Sequence, residues 1–456
     1  MSKTEQQQKG WSLDSLLLGA NALEKALVRR SQVFAEAFTP APVSWSMVQA
    51  ELKPGQAAVE IKRLLIDLYQ PGKVETDTVY LALLLTPETR QNPLLVLIEE
   101  GGRLETGYLD QYYRALLTRQ NDPQSYRRYW QAIQAALQNN SSVPVREVFV
   151  SLDGVYHELA LEAILNPQTG RYLSQEIQLI RLGSTRQLIE KASPPLPGQS
   201  PTAFLLGRPT YDLSKDAHSA ALEKLALERD GQSRSITQNL VLDSFVDLPE
   251  TELEINEISQ HLAAQGWQII QKLGAEALEE CLTLTQDSVQ LLHLATHGFF
   301  SLPDDASGVS LELAALLNSG LALAGANSLR KANLDDRSED GILTALEVSN
   351  LALDQVRLVT LSACQTGLGR IVNGEGVYGL QRAFKVAGAK AILMSLWKVD
   401  DRATHLLMQH FYKEYLQHGE PRRALSAAQQ ALRAYSENGF SPYTAPFYWG
   451  GFVVAE

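Results

Sequence analysis

Short runs of mostly apolar residues, each stopped by glycine or a polar cluster, punctuate the second half of the chain. The clearest are Ala203 to Gly207, Gln290 to Gly298 and Arg357 to Gly367, rich in Leu with Phe, Val or Thr. A sheet with one wet face would show polar residues at alternate positions. These runs therefore predict strands of a parallel sheet buried on both faces. Upstream, Ala57 to Leu68, Thr78 to Leu85 and Pro93 to Glu99 predict strands joined by hairpins through Gln70 to Gly72 and Pro87 to Thr89. Leu109 to Leu137 carries apolar and aromatic residues at helical spacing, interrupted at Asn121 to Pro123, and predicts a helical pair whose aromatics serve packing. With Val145 to Leu152 as a further strand, this builds a first α/β unit that holds no nucleophile.

Proline marks the divisions. Trp11 to Phe38 predicts one or two helices ended by Thr39 to Pro42, behind a polar start, residues 1–10, that lacks the apolar core of a signal segment. That stretch is too short for a helical repeat array, which needs about 34 residues per unit and three units. Ser193 to Pro201 is a proline-rich connector. The expected organisation is an N-terminal tail with helices over 1–40, a scaffold half over 41–195 and a second half over 196–456. In the second half, Leu248 to His261 predicts a helix with an acidic first turn, and the stretch around Cys281 an amphipathic helix in which that thiol is structural. Val309 to Ala326 is broken by Glu312, Asn318, Ser319 and Gly320, so it predicts a buried strand near Leu321 to Gly325 and no membrane span.

Composition narrows the function classes. Lys and Arg total 40 against 52 Asp and Glu, for a net charge of −12, which favours neither a nucleic-acid partner nor an anionic membrane surface. Two cysteines, Cys281 and Cys364, argue against a disulfide framework and suit a reducing cytoplasm in which a thiol stays available.

The two central apolar runs end in complementary chemistry. His297 closes one, with Gly298 beside it, and Cys364 closes the other. Neighbouring parallel strands would bring both to one sheet edge, where ligands of such sheets bind. A free thiol, with a pKa of about 8.5, is only a few per cent thiolate at neutral pH, so an imidazole within reach is needed to take its proton. The backbone N–H groups of Gly298 and Cys364 are the expected oxyanion donors. The inert alternative is a small core cysteine and a satisfied histidine at a strand end. Metal binding by His293 with His297 fails on distance, because residues four apart on a strand stand about 13 Å from each other. No metal or cofactor is expected. The loop Gly367 to Gly376 lacks phosphate-loop spacing and reads as a mobile wall beside the nucleophile. Asn327 to Gly341 reads as a solvated loop, and as a candidate for self-cleavage.

These stretches resemble the CHAT domain family, caspase-like cysteine peptidases of clan CD, and more distantly the separase protease domain. The resemblance rests on Leu292 to Gly298, Ser362 to Gly367, Gly374 to Gly379, Ser395 to Asp401 and Ala445 to Gly450, with an upstream block from Val148 to His157 that resembles the start of the family's domain, and spans Val143 to the C-terminus. It implies an α/β fold, a caspase-like three-layer α/β/α arrangement around a mostly parallel sheet, preceded by an inactive caspase-like half and short N-terminal helices. It implies a specific endopeptidase with a dyad of Cys364 and His297, and a substrate pocket near Trp397 and Asp401 in which Asp401 would receive a basic side chain. Against that role, Asp400 and Asp401 also precede a predicted helix, Ala403 to His418, where Asp is a common cap. The family further implies a protein substrate such as a gasdermin-like pore former, an upstream sensor or activator, and a bacterial defence or cell-death setting. The competing class is a noncatalytic CHAT interaction module.

Overall fold

The computed structural model describes residues 43–70, 73–189, 200–226, 244–285, 289–300, 316–329, 339–362 and 375–456. The predicted helices within 11–38, most of the proline-rich connector, and the loop carrying Cys364 lie outside them.

Sixteen strands are present among these residues. In the first half they are β1 (Gln56–Gln70), β2 (Lys73–Leu85), β3 (Leu94–Ile98), β4 (Glu147–Ser151), the short β5 (Leu165–Asn166) and β6 (Arg171–Tyr172), and β7 (Gln178–Leu182). In the second half they are β8 (Thr202–Pro209), β9 (Gln268–Gly274), β10 (Val289–Ala295), β11 (Gly298–Phe300), β12 (Ser319–Ala322), β13 (Ile342–Thr344), β14 (Leu358–Leu361), β15 (Ala391–Ser395) and β16 (Phe452–Ala455). Eleven of them form one sheet in the order β3-β2-β1-β4-β7-β16-β15-β14-β10-β8-β9. The β1/β2, β2/β3 and β15/β16 pairs are antiparallel, and every other pair is parallel. β11, β12 and β13 make a separate antiparallel sheet.

Continuous apolar runs became central strands for the reason given by their composition. Both faces are covered, and all residues of β14 and β15 are buried, each large aliphatic side chain contributing about 1.5–3 kcal/mol. The principal helices are α1 (Trp45–Glu51), α2 (Gly107–Leu117), α3 (Pro123–Tyr129), α4 (Gln131–Asn139), α5 (Lys215–Ala226), α6 (Pro249–Ala264), α7 (Ala345–Val348), α8 (Glu375–Val386), α9 (Asp401–His418) and α10 (Pro421–Ala434). Helix α6 packs on β8, β9 and α9. The β14 to β15 crossover through α8 runs the opposite way across the sheet from β8 to β9, so right-handed connection places α8 on the other face. The result is the three-layer α/β/α arrangement.

Local departures have local causes. The expected helical pair over 109–137 is three helices, because Asp122 caps a new start with Pro123 at its first position and Trp130 breaks the next turn. The segment expected to be an amphipathic helix around Cys281 is a 3₁₀ turn, Glu279–Thr285, with Cys281 buried and its thiol 3.1 Å from the carbonyl oxygen of Glu276. The strand expected at Leu321 to Gly325 ends at Ala322. Gly325 sits at φ +91°, and the Leu323 N–H turns instead to the Gly341 carbonyl.

Candidate active site

β10 and β14 are parallel neighbours in register, Leu294 opposite Leu361, and the Ser362 N–H donates to the Leu294 carbonyl at 3.0 Å. His297 leaves β10 at the carboxyl edge, and Ser362 is the last described residue before the loop that carries Cys364. Cys364 itself lies outside the described residues.

The environment of His297 is built from the loops that follow β8. Its Nε2 lies 2.8 Å from the Val246 carbonyl oxygen. A carbonyl only accepts, so Nε2 carries hydrogen, and in the neutral ring Nδ1 is left with a lone pair. Tyr211 and Phe245 bracket the imidazole, with ring centroids 5.4 and 5.6 Å away. Burial among these groups lowers the His297 pKa below the ordinary imidazole value; the Val246 hydrogen bond opposes this and the charge of Lys398 adds to it. The ring is thus biased toward its neutral, basic form.

The residues on either side of Val246 are clamped. Asn327 accepts from the Phe245 N–H through Oδ1 at 2.8 Å, and its Nδ2 donates to the Phe245 carbonyl at 2.9 Å and to Asp212 Oδ2 at 3.0 Å. Arg208, at φ +42°, reaches Asp247 at 3.0 Å and Glu252 at 2.6 Å from the other side. A cavity of about 430 Å³ opens here, lined among others by Arg208, Tyr211, Phe245 and Asp247. Tyr211, Phe245 and Val246 lie in or beside polar stretches without a motif and were not singled out by the sequence, and Asn327, expected to open a solvated loop, is instead buried against Phe245 and Asp212.

Gly298 opens β11 opposite Leu321. The Ala322 N–H donates to the His297 carbonyl at 2.8 Å, and bonded and non-bonded pairs alternate along an antiparallel ladder. Gly298 therefore occupies a non-bonded position, its N–H directed away from β12. Trp397 is 1% exposed, with its indole N–H donating to the Phe447 carbonyl at 3.0 Å, and it packs in the core. Asp400, not Asp401, caps α9 by accepting from the Ala403 N–H. Asp401 is exposed in the first turn.

The second histidine of the strand serves a different environment. His293 is fully buried, its ring held by Tyr412 and facing Glu254. Elsewhere among the described residues, carboxylate oxygens of Glu279, Glu339 and Glu347 lie within 4.8 Å of one another. Burial, helped by the surrounding carboxylates, pushes Glu279 well above the usual carboxylate range, so protonation relieves the crowding.

Residues 124–455 match the CHAT domain. The chain belongs to the CHAT domain family. The match starts somewhat earlier than Val143 and runs from α3, within the first half, through the second half, leaving β1 to β3 outside it. Tetratricopeptide repeat protein 28 of Homo sapiens is 25% identical to it over 335 residues, 69% of this chain and 12% of that protein. The Mus musculus protein of the same name is 24% identical over 350 residues. The CHAT chain thus spans only 12% of the length of these curated relatives. Among solved structures it is similar to the Arg-specific cysteine proteinase gingipain R, at 12% identity and a TM-score of 0.39 over 72% of this chain and 67% of that one. It is also similar to the Saccharomyces cerevisiae separase–securin complex, at 11% identity and a TM-score of 0.34 over 71% of this chain and 16% of that one. No helix among the described residues is long and apolar enough to cross a membrane.

Proposed function

We propose that this CHAT domain is a cysteine endopeptidase acting through Cys364, with His297 as its base. The observation that carries the reading is the state of His297, tied through Nε2 to the Val246 carbonyl at the edge where Ser362 closes the neighbouring strand. Cys364 follows Ser362 by two residue steps, with Ala363 alone between them, and extended chain covers at most about 3.6 Å per residue, so covalent geometry alone keeps the two Cα atoms within about 7 Å.

In this reading Nδ1 takes the Sγ proton as sulfur attacks the scissile carbonyl carbon, and the oxygen that becomes negative is met by the N–H groups of Gly298 and Cys364. Collapse breaks the C–N bond, and the imidazolium returns its proton to the departing amine. A water molecule, deprotonated at Nδ1, then attacks the thioester, breaks the C–S bond and releases a carboxylate with the free thiol. The substrate pocket belongs near the segment from Trp397 to Asp401, where Lys398 already acts on His297. Asp401 is the exposed receptor in that proposal, and Trp397 supports the segment from the core. A gasdermin-like substrate, an upstream activator, a defence role and cytoplasmic residence are part of the same proposal and rest on family resemblance.

The test is a peptide library carrying a carbon electrophile, with the adduct located by mass spectrometry. An adduct on Cys364 that is lost in Cys364→Ala and slowed in His297→Ala supports the reading. Persistent cleavage of a substrate in both variants would overturn it. A wild-type chain that forms no adduct and cuts nothing in the presence of its partners would favour the noncatalytic module.

A further inference from the structure

A polar chain of side chains runs through the core directly behind the strand tips. His293, in the middle of β10, is fully buried. Its Nδ1 is 2.7 Å from the Tyr412 hydroxyl of α9, which donates onward to Thr360 Oγ1 at 2.9 Å. Its Nε2 is 3.1 Å from Oε1 of Glu254 on α6, at ion-pair distance but off the line of a hydrogen bond. The other oxygen of Glu254 accepts from Ser362 Oγ at 3.0 Å. Thr360 and Ser362 share one face of the β14 run, and Thr360 stands opposite His293 in the register.

Apolar residues of similar volume would hold these elements together as well or better, since buried ionisable pairs are weak contributors to stability. What the polar chain adds is direction. Because the Tyr412 hydroxyl gives its hydrogen to Thr360, it accepts from His293 Nδ1–H, which turns Nε2 toward the Glu254 carboxylate. Tyr412 thus fixes the ring, the ring packs against one oxygen of the carboxylate, and the other oxygen accepts from Ser362.

We infer that Glu254 is a positioning residue for the nucleophile: held by His293, it grips Ser362 and sets the direction in which the chain leaves β14 toward Cys364. The inference rests on the peptidase reading and deepens it. Neither Glu254 nor Ser362 touches substrate in this scheme, so their loss acts on turnover more than on binding.

The experiment measures, in the full chain, the rate of Cys364 alkylation by iodoacetamide, read by peptide mass spectrometry, and kcat and KM on a peptide identified as above. The variants are His297→Ala, Ser362→Ala, Ser362→Thr and Glu254→Gln. The expected result is a fall of about tenfold in alkylation rate and kcat for Ser362→Ala and Glu254→Gln, with KM within about twofold, and recovery in Ser362→Thr. If His297→Ala slows alkylation while Ser362→Ala stays within twofold of wild type, the positioning role is overturned and the peptidase reading stands. If His297→Ala leaves alkylation unchanged, the peptidase reading itself fails. Ser362→Ala removes one oxygen from a half-buried side chain, so it decides the matter even where Glu254→Gln does not fold.

Discussion

The imidazole of His297 hangs from the backbone carbonyl of Val246, 2.8 Å from Nε2. No side-chain substitution removes that acceptor, but its support is removable. Asn327 holds both the N–H and the carbonyl of Phe245, so Asn327→Ala should release the loop and let the ring drift. Turnover of the adduct-forming peptide should fall by about ten- to a hundredfold, with Cys364 still alkylated by a strong excess of reagent. Steady-state kinetics beside an alkylation assay would check this.

A base must be neutral to accept a proton. Burial lowers the His297 pKa, so activity should rise with pH through a midpoint below about 6.5, the ordinary imidazole value. The charge of Lys398 contributes to that lowering. Lys398→Met should therefore move the acidic limb of kcat/KM to higher pH, and a limb that moves down or stays fixed would contradict the assignment.

Glu158 provides a pH signature of the fold itself. Burial raises its carboxyl pKa to about 8, far above the unfolded value. The folded state then retains a proton that the unfolded state gives up, so this contribution is complete below about pH 4.5 and declines until pH passes about 8. Glu158→Gln should flatten that part of the stability curve. Thermal melts of both proteins between pH 5 and 8 should diverge as pH rises.

Gly320 sits where a side chain has no room. A Cβ there would run into the Leu343 carbonyl oxygen and lie 2.8 Å from the Phe299 ring. Gly320→Ala should cost about 1–3 kcal/mol by overpacking and disturb the small sheet that carries Gly298. Chemical denaturation together with the turnover assay would register both effects.

Much of this organisation was legible before the fold. The runs at Leu292 and Leu358 became adjacent parallel strands because continuous burial permits little else, and Pro123 and Pro249 open helices as their fixed φ allows. The clamp on His297 was not legible. Phe245 and Val246 come from one loop and Asn327 from another, and their roles depend on backbone groups whose partners no residue pattern encodes. The chain from His293 to Ser362 was hidden for a related reason: Glu254 reads as one more acid on a helix, and only tertiary packing turns it inward. Trp397 shows the converse, a motif residue whose indole is spent on the core.

The main-chain ladder between the two halves is thin. β16 meets β7 at a single register pair, Ala455 with Arg181, supplemented by the Glu456 N–H on the Arg181 carbonyl at 2.9 Å. Yet Leu116, Ala160 and Ala163 from the first half pack into the apolar cluster of the second. The molecule resembles two leaves of a book glued along their pages more than stitched at the spine. A push on the first leaf would reach the other as a shift of greasy contacts, a coupling softer than a continuous hydrogen-bonded ladder would give.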